Sequence, residues 1–268
     1  MLTVSALDQI CRFEKRFYTY PFQVSGEWIK YPFVCVPFHD YKLLFKFRWK
    51  FAILDCGVEI FAKGAKEYPK GFFLRYEWKA QQLTQIFGDR LWITIPDYPD
   101  DYRNNPIENN VERTLANIKR FHNIKGVNWL YPIQSSYLDI DSFHFACHEV
   151  QKFNPKRVAI GTVCKTNNLA FIVECCKMAR KHFPNAWIHA FGPTLRALPK
   201  ILPYIDSWDS TAFFCSREKG KGKCWTKKER LEYFIAYLER VFEILTDYHS
   251  QTRLPQILSQ KTLLEVEC

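Results

Sequence analysis

The sequence contains no apolar run that approaches the length of a membrane-spanning helix, which argues against a protein built from transmembrane helices. Charged residues interrupt the N-terminal stretch MLTVSALDQICRFEKRF, so it does not resemble a secretory signal peptide. The ten cysteines are spaced irregularly and predict no disulfide framework. These absences predict a cytoplasmic protein with reduced thiols and no membrane partner.

The residues that are present predict a globular protein with a full hydrophobic core. Apolar residues make up 47% of the 268 positions and aromatic residues 17%. Such a composition excludes an intrinsically disordered chain. The formal net charge of +10 favours polyanionic partners such as nucleic acids, although charge alone does not identify one.

Short apolar runs that end in polar residues or glycine indicate β-strands. Most are apolar at consecutive positions, as expected for strands that are buried on both faces of a parallel sheet. Seven such runs occur, at 33–37, 51–55, 91–96, 128–133, 157–161, 186–191 and 207–214.

Helical patterns lie between these strands, at 109–121, 169–183, 194–205 and 226–248. Thr226 and Glu229 form a capping-box pattern at the start of the last helix. Strand–helix alternation predicts an α/β fold, and seven candidate strands favour a (β/α)8 TIM-type barrel over an open sheet. We expect a single domain over 1–268 with a C-terminal helical segment at 226–268, and the eighth strand has no clear position.

Polar residues at the strand ends form a set. A single aspartate there is usually a helix cap. Several in succession would converge on one mouth, because the C-terminal ends of barrel strands build the active site. The members are Asp55, Asp97, Gln134, Gly161, His189, Asp206 and Asp209.

Two carboxylates across one pocket suit glycosidic chemistry, in which one attacks the anomeric carbon and the other handles protons at the leaving group. A further aspartate and an amide could recognise the N1–H and 2-amino edge of a base such as guanine. Bases recognised in this way are usually flipped out of the stack.

At this point the motifs resemble those of the tRNA-guanine transglycosylase superfamily, which includes relatives that insert 7-deazaguanine bases into DNA. LDCGVEIF (54–61) is similar to the Asp-Ser-Gly-Gly-Phe motif, which implies that Asp55 is the general acid/base. IDSWDST (205–211) is similar to the run that carries the nucleophile, which implies that Asp209 has this role. The family folds as a (β/α)8 barrel and exchanges guanine without breaking the backbone.

The resemblance also implies a base-binding set. IPDYPDD (95–101) places base recognition on Asp97, and YPIQSS (131–136) places it on Gln134. VAIGTV (158–163) resembles the segment whose backbone contacts the base, at Gly161 and Thr162. The implied partners are a nucleic acid and a free 7-deazaguanine base such as preQ0.

Other candidate residues keep two interpretations. His189 contacts the base or sugar, or is a core histidine. Asp206 supports the site by orienting neighbours or binding a sugar hydroxyl, or is a loop cap. The loop SREKGKGKCW (216–225) binds phosphates through its cations or is merely solvated; those cations are Arg217, Lys219, Lys221 and Lys223.

Departures from the family pattern affect the expected substrate. The Cys-x-Cys-x-x-Cys zinc motif of the tRNA enzymes is absent, so we expect no structural zinc subdomain, no catalytic metal and no cofactor. There is also no room for the additional RNA-binding domains of archaeal tRNA enzymes. Both observations favour DNA over tRNA, and a compact version of this kind would suit a virus or mobile element.

Three rival functions stay open. A tRNA transglycosylase differs only in its polymer, and a hydrolase of the same fold would release the base to water. A non-catalytic partner subunit is favoured by loss of the second glycine after Asp55, and opposed by the presence of Asp55, Asp97, Gln134 and Asp209 together. Whether the chain forms a homodimer is also open.

Overall fold

Eight parallel strands close into a barrel in the computed structural model, which describes residues 13–100, 107–212 and 226–264, with backbone alone for 251–264. The barrel strands follow one another around the ring in chain order, and β2 and β3 form a separate antiparallel hairpin. The strands are β1 (Arg16–Thr19), β2 (Gln23–Val24), β3 (Glu27–Trp28), β4 (Phe33–Pro37), β5 (Phe51–Asp55), β6 (Leu91–Thr94), β7 (Trp129–Ile133), β8 (Arg157–Ile160), β9 (Trp187–Ala190) and β10 (Ser207–Ser210). The predicted (β/α)8 TIM-type barrel is thereby confirmed.

Helices connect most of the barrel strands, as the alternating pattern predicts. The described α-helices are α1 (Glu59–Ala62), α2 (Phe72–Phe87), α3 (Asn110–His122), α4 (Ile140–Gln151), α5 (Leu169–His182), α6 (Leu198–Ile201) and α7 (Lys227–Leu264). The β2–β3 hairpin connects β1 to β4, and a 3-10 helix at Phe38–Phe45 connects β4 to β5. None of the helices in the described ranges is both long and apolar enough to cross a membrane.

The seven predicted strands all form, and the missing eighth is β1. Its short sequence RFYT directly follows charged residues and gives no apolar run. The helix predicted at 194–205 is reduced to α6, because Pro199 and Pro203 interrupt helical hydrogen bonding. The capping box is present, since the Thr226 amide donates to Glu229 at 2.8 Å and the Glu229 amide donates to Thr226 Oγ1 at 3.3 Å.

Side chains alternate between the barrel interior and the helical layer, as the strand period requires. On β10, Trp208 faces outward and stacks on Phe17, with ring centroids 5.7 Å apart. Ser207 and Asp209 face the interior, where both hydrogen-bond the ring of His189. Because of this alternation, the carboxylate of Asp209 lies in the barrel interior at the C-terminal end of β10.

The N-terminal end of the barrel is filled by arginines that lie over aromatic rings. The guanidinium of Arg16 lies 4.2 Å from the ring centroid of Phe51 and 4.6 Å from that of Trp187. Arg157 lies 4.7 Å from the ring of Trp92. Cation–π contacts of this kind help to place charge in the interior.

Candidate active site

Asp209 is held at the C-terminal mouth of the barrel through one of its two carboxylate oxygens. The backbone amide of Gly192 donates to Oδ1 at 2.9 Å, and Nε2 of His189 lies 3.3 Å from the same atom. Gly192 has a φ of +55° in the loop after β9, a conformation that favours glycine. The conformation of this loop therefore directs the amide N–H of Gly192 towards the carboxylate of Asp209.

The second oxygen, Oδ2 of Asp209, accepts no hydrogen bond from the part of the chain that the structure describes. The side chain is 16% exposed. It lines a cleft of about 690 Å³ between helix α7 and the loops that follow β8, β9 and β10. The Asp209 cleft is defined here by Asn167, Gly192, Thr194, Tyr233, Tyr237 and Arg240. A carboxylate that is fixed at one oxygen and open at the other suits a nucleophile.

His189 is a core residue of the barrel. Its side chain is fully buried on β9, and its two ring nitrogens face Ser207 Oγ at 2.9 Å and Asp209 Oδ1 at 3.3 Å. No ring atom is available to a ligand in the mouth. The structure thus places His189 in the core, where it supports Asp209, and a contact with the base or sugar stays a prediction.

Asp55 ends β5 and lies at the same mouth, partly covered by the loop that follows. Burial, together with repulsion from Asp97, Glu59 and Asp209, raises the pKa of its carboxyl to about 8. The backbone amide of Gly57 opposes this shift by hydrogen-bonding the carboxylate. At neutral pH the group is predominantly protonated, as a general acid must be before it donates a proton.

Cys35 on β4 lies within the same group of acids. Burial is the largest cause that raises the pKa of its thiol well above the ordinary value, and the charges of Asp209, Asp55 and Glu59 add to it. The charges of both Asp55 and Asp209 therefore act on this one thiol. Asp55 and Asp209 consequently lie on the same mouth, although they come from strands β5 and β10.

Asp97 and Gln134 form a buried pair between the ends of β6 and β7. Each is 3% exposed, and Nε2 of Gln134 donates to Oδ2 of Asp97. The thiol of Cys56 donates to Oδ1 of Asp97 at 3.0 Å, and the hydroxyl of Tyr68 donates to its backbone carbonyl at 2.8 Å. Two predicted base-binding residues are thus brought together and oriented.

The amide oxygen of Gln134 is buried and accepts no hydrogen bond from the described residues. A buried acceptor without a donor is costly, so this atom is suited to a donor that arrives with a ligand. Asp97 lies directly beside this atom, since its Oδ2 accepts from Nε2 of the same amide. Together they present acceptors to an N–H-bearing edge.

Helix α3 fixes the loops that carry this pair. Asn110, at its first turn, donates to the carbonyls of Tyr98 and Ser135 at 3.3 and 3.0 Å. Asn117, two turns along, donates to the carbonyl of Pro96 at 2.8 Å. Buried amides on one face of the helix thereby tie the loop after β6 to the loop after β7.

Gly161 acts through its lack of a side chain. A Cβ at this position would lie 2.1 Å from Nε2 of Gln134, so only glycine leaves room for the amide. Its own N–H donates to the carbonyl of Ile133 at 3.0 Å and is therefore used within the barrel. Thr162 lies at the same rim, where its hydroxyl bonds that of Ser135 at 2.6 Å.

Asp206 lies at the opposite end of β10 from Asp209. Its Oδ2 accepts from Arg180 at 2.6 Å and from the backbone amide of Ile188 at 2.8 Å, and Lys15 lies 3.8 Å from its Oδ1. Residues at the N-terminal ends of barrel strands serve stability rather than the active site. The structure therefore places Asp206 in an ion pair with Arg180 at the N-terminal end of β10, rather than at the mouth or in the loop cap of the second interpretation.

The predicted phosphate-binding cations Arg217, Lys219, Lys221 and Lys223 lie outside the described residues. In the ranges that the structure does describe, no cluster of three or more His, Cys, Asp or Glu side chains is arranged to hold a metal ion.

Sequence reasoning missed several residues of the site. Glu59 raises the pKa of Asp55, and Cys56 and Tyr68 orient Asp97. The Cys56 and Glu59 positions fall within the motif that follows Asp55, where both depart from the family pattern. Tyr68 carries no local signal, because its contact with Asp97 depends on the path of the chain between α1 and α2.

Comparison with known proteins provides no relative from which the role of this site could be inferred. No protein-family profile and no curated protein matches the chain. Among solved structures, a carboxyl transferase domain of Rhizobium etli pyruvate carboxylase with pyruvate is 10% identical, covers 75% of this chain and 42% of that chain, and has a TM-score of 0.35. At that TM-score the likeness carries no information about function, so the function is argued from the site itself.

Proposed function

We propose that the chain is a base-exchange transglycosylase that replaces guanine in a nucleic acid, preferentially DNA, with a 7-deazaguanine base. The observation that carries the proposal is the arrangement of Asp209. One of its oxygens is held by an amide and an imidazole, and the other is open beside a cleft of about 690 Å³. Asp55, with a pKa of about 8, shares the mouth and supplies the complementary acid.

The first half-reaction releases the original base. Oδ2 of Asp209 attacks C1′ of a guanosine nucleotide, the C1′–N9 bond breaks, and its electron pair leaves with the base. Asp55 donates its proton to the departing guanine, so the base leaves neutral and Asp55 becomes a carboxylate. The product on the polymer is an ester between C1′ and Asp209.

The second half-reaction reverses these roles. The carboxylate of Asp55 takes a proton from the incoming 7-deazaguanine, whose nitrogen attacks C1′ and displaces Asp209. Two inversions retain the configuration at C1′. Asp55 ends protonated and Asp209 ends ionised, so the chain returns to its starting state without a cofactor in either step.

Base recognition is the proposed role of Asp97 and Gln134. The acceptor atoms of this pair suit the N1–H and 2-amino donors of guanine, which a 7-deazaguanine also carries. Because both residues are buried and oriented before the ligand arrives, the free base loses little to reorganisation of the protein. Gly161 contributes by leaving room for Gln134.

The proposed polymer substrate is inferred from the net charge of the chain and from a motif that its sequence lacks. A net charge of +10 favours a polyanion, and Arg240 brings a cation to the rim of the Asp209 cleft. DNA is preferred over tRNA because the sequence lacks the zinc motif of the tRNA enzymes. This preference is the part of the proposal that the first experiment decides.

The experiment is base exchange with the full chain. Labelled guanine is incubated with duplex DNA, single-stranded DNA or bulk tRNA, and label in the polymer is followed over time. Asp209→Asn is expected to reduce incorporation by a factor on the order of 10⁴ or more, as loss of a nucleophile does in other enzymes. Asp206→Asn, three residues earlier and directly before β10, is the matched control and should retain exchange.

The outcomes separate the rival functions. Label in DNA that requires Asp209 supports the proposal, and mass spectrometry of acid-quenched protein should then find the sugar ester on Asp209. Label in tRNA alone would contradict the DNA preference. Release of guanine without incorporation would indicate a hydrolase, and inactivity on every polymer would contradict guanine exchange by this chain alone.

A further inference from the structure

A chain of hydrogen bonds runs from the barrel interior to Asp209. Nε1 of Trp187 lies 2.8 Å from Oγ of Ser207, and that oxygen lies 2.9 Å from Nδ1 of His189. Nε2 of His189 in turn faces Oδ1 of Asp209 at 3.3 Å. Ser207 and His189 are both fully buried, so water does not complete their hydrogen bonding.

The chemistry of the four groups fixes the direction of the chain. The indole Nε1–H of Trp187 can only donate, so Ser207 Oγ accepts from it. The hydroxyl proton of Ser207 then needs an acceptor, and among the described residues Nδ1 of His189 is the one within reach. An ionised Asp209 can only accept, so the remaining proton of the imidazole lies on Nε2.

We propose that Trp187 and Ser207 hold His189 in its neutral Nε2–H tautomer, and that His189 is thereby a positioning residue that assigns the two oxygens of Asp209 to different tasks. Oδ1 accepts from His189 and from the Gly192 amide, which leaves Oδ2 to attack. The tautomer follows from the hydrogen bonds alone, whereas the task of Oδ2 rests on the proposed function.

The opposite tautomer would be costly at two points. With the proton on Nδ1, the lone pair of Nε2 would face the carboxylate of Asp209, and the buried hydroxyl of Ser207 would lose its acceptor. Each change would leave a buried polar group without a hydrogen-bond partner, which is unfavourable. The bond between His189 and Asp209 is long at 3.3 Å, which is common in unliganded sites that tighten when the substrate binds.

The tautomer can be measured without any activity. The full chain is labelled with [¹⁵N]histidine, and two-bond ¹H–¹⁵N correlation spectra are recorded at neutral pH, with the His189 signals assigned from their absence in His189→Gln. The expected pattern is that of the Nε2–H tautomer in the wild-type protein and its loss or exchange broadening in Ser207→Ala. An Nδ1–H pattern or a doubly protonated ring in the wild-type protein would overturn the proposal.

Kinetics test the positioning of Oδ2. His189→Leu removes the donor and is expected to lower kcat for exchange by about 10²-fold with little change in KM for the polymer, since a small misplacement of a reacting group costs that much. His189→Gln places an N–H near the position of Nε2 and should restore most of the rate. Equal losses in both variants, or a loss confined to KM, would contradict the role.

The two arms distinguish failure of this inference from failure of the proposed function. If the wild-type protein exchanges no base, the function is wrong, while the tautomer is still decided by the spectra. Circular dichroism melting of each variant separates loss of positioning from loss of the fold.

Discussion

Asp206 immediately precedes β10 and Asp209 lies within it, three residues on, yet the two belong to opposite ends of the barrel and to opposite electrostatic environments. Asp206 has a guanidinium at 2.6 Å, a backbone amide at 2.8 Å and an ammonium at 3.8 Å. Asp209 faces an imidazole and an amide at the mouth, where Asp55, Asp97 and Glu59 gather as further acids.

The difference shows how one fold separates stability from chemistry. At the N-terminal end, negative charge is neutralised and arginines lie over aromatic rings, so charge is buried at low cost. At the mouth, acids repel one another, and the pKa of Asp55 rises as a result. Such repulsion between acids is expected at an active site, because a general acid must carry its proton near neutral pH.

After replacement of Asp209 itself, the largest effect at the mouth is expected at Asp55. Asp55→Asn removes the proton donor while keeping size and polarity, so departure of the base should slow by about 10²- to 10⁴-fold. The measurement is the single-turnover release of labelled guanine from the polymer. In the wild-type protein the release rate should fall as pH rises through about 8, where Asp55 ionises.

Glu59→Gln provides the control for that assignment. Removing one of the charges that repel Asp55 should lower the pKa of Asp55 and move the alkaline fall in rate to lower pH. Asp55→Asn should abolish this limb altogether. An alkaline limb that stays in place in both variants would show that another group supplies the proton.

A second effect concerns stability. The folded pKa of Asp55 is about 8, above its unfolded value of about 3.9, so the protonated form favours the fold. This contribution is fully present below about pH 4 and is lost as pH rises through about 8. The wild-type free energy of unfolding should therefore fall relative to that of Asp55→Asn across this range, by on the order of a few kcal/mol.

Urea titrations of both proteins at intervals between pH 4 and pH 9 measure this difference. Titrating groups remote from Asp55 are common to the two proteins and cancel in the comparison. Parallel pH profiles would mean that Asp55 ionises as readily in the folded chain as in the unfolded one, and would remove the electrostatic contrast between the two ends of the barrel.

Much of the barrel could be predicted from the sequence, because strands buried on both faces leave continuous apolar runs. FAILD and RVAIG are of this kind and form β5 and β8. β1 could not be found in this way, since Arg16 and Tyr18 fill the barrel interior with polar-tipped side chains. The guanidinium of Arg16 is stabilised there by aromatic rings on other strands, and no local sequence pattern indicates such contacts.

The positions of four residues at strand ends predicted that they lie at one mouth: Asp55, Asp97, Gln134 and Asp209. The side chains that contact them could not be predicted in this way. Strand ends are visible in the sequence, and parallel strands bring them to one edge. A difference of one or two residues in the bounds of a short strand decides at which end an acid lies. For this reason the sequence placed Asp206 at the wrong end of β10. The hydrogen-bond partners of His189 depend on how β9 and β10 pair, which the sequence of either strand alone does not show.

The smallest predicted effect is at Asp206 and tests the N-terminal side of the comparison. Asp206→Asn removes the charge that pairs with Arg180, while Arg180 keeps hydrogen bonds to the carbonyls of Tyr204 and Ala186. Because both partners are about a quarter exposed, the loss in unfolding free energy should be about 1–3 kcal/mol. Urea unfolding measures it, with the exposed Asp247→Asn as a control expected to change stability by less than about 0.5 kcal/mol.

The same variant should leave the chemistry intact, with exchange rates within about twofold of the wild-type rate below the unfolding transition. A double-mutant cycle with Arg180→Gln then isolates the pair, since two groups in direct contact should not lose stability additively. If Asp206→Asn instead lowered exchange tenfold at unchanged stability, the acid would act on the mouth through β10. The two ends of the strand would then be coupled, and the separation of stability from chemistry along β10 would fail.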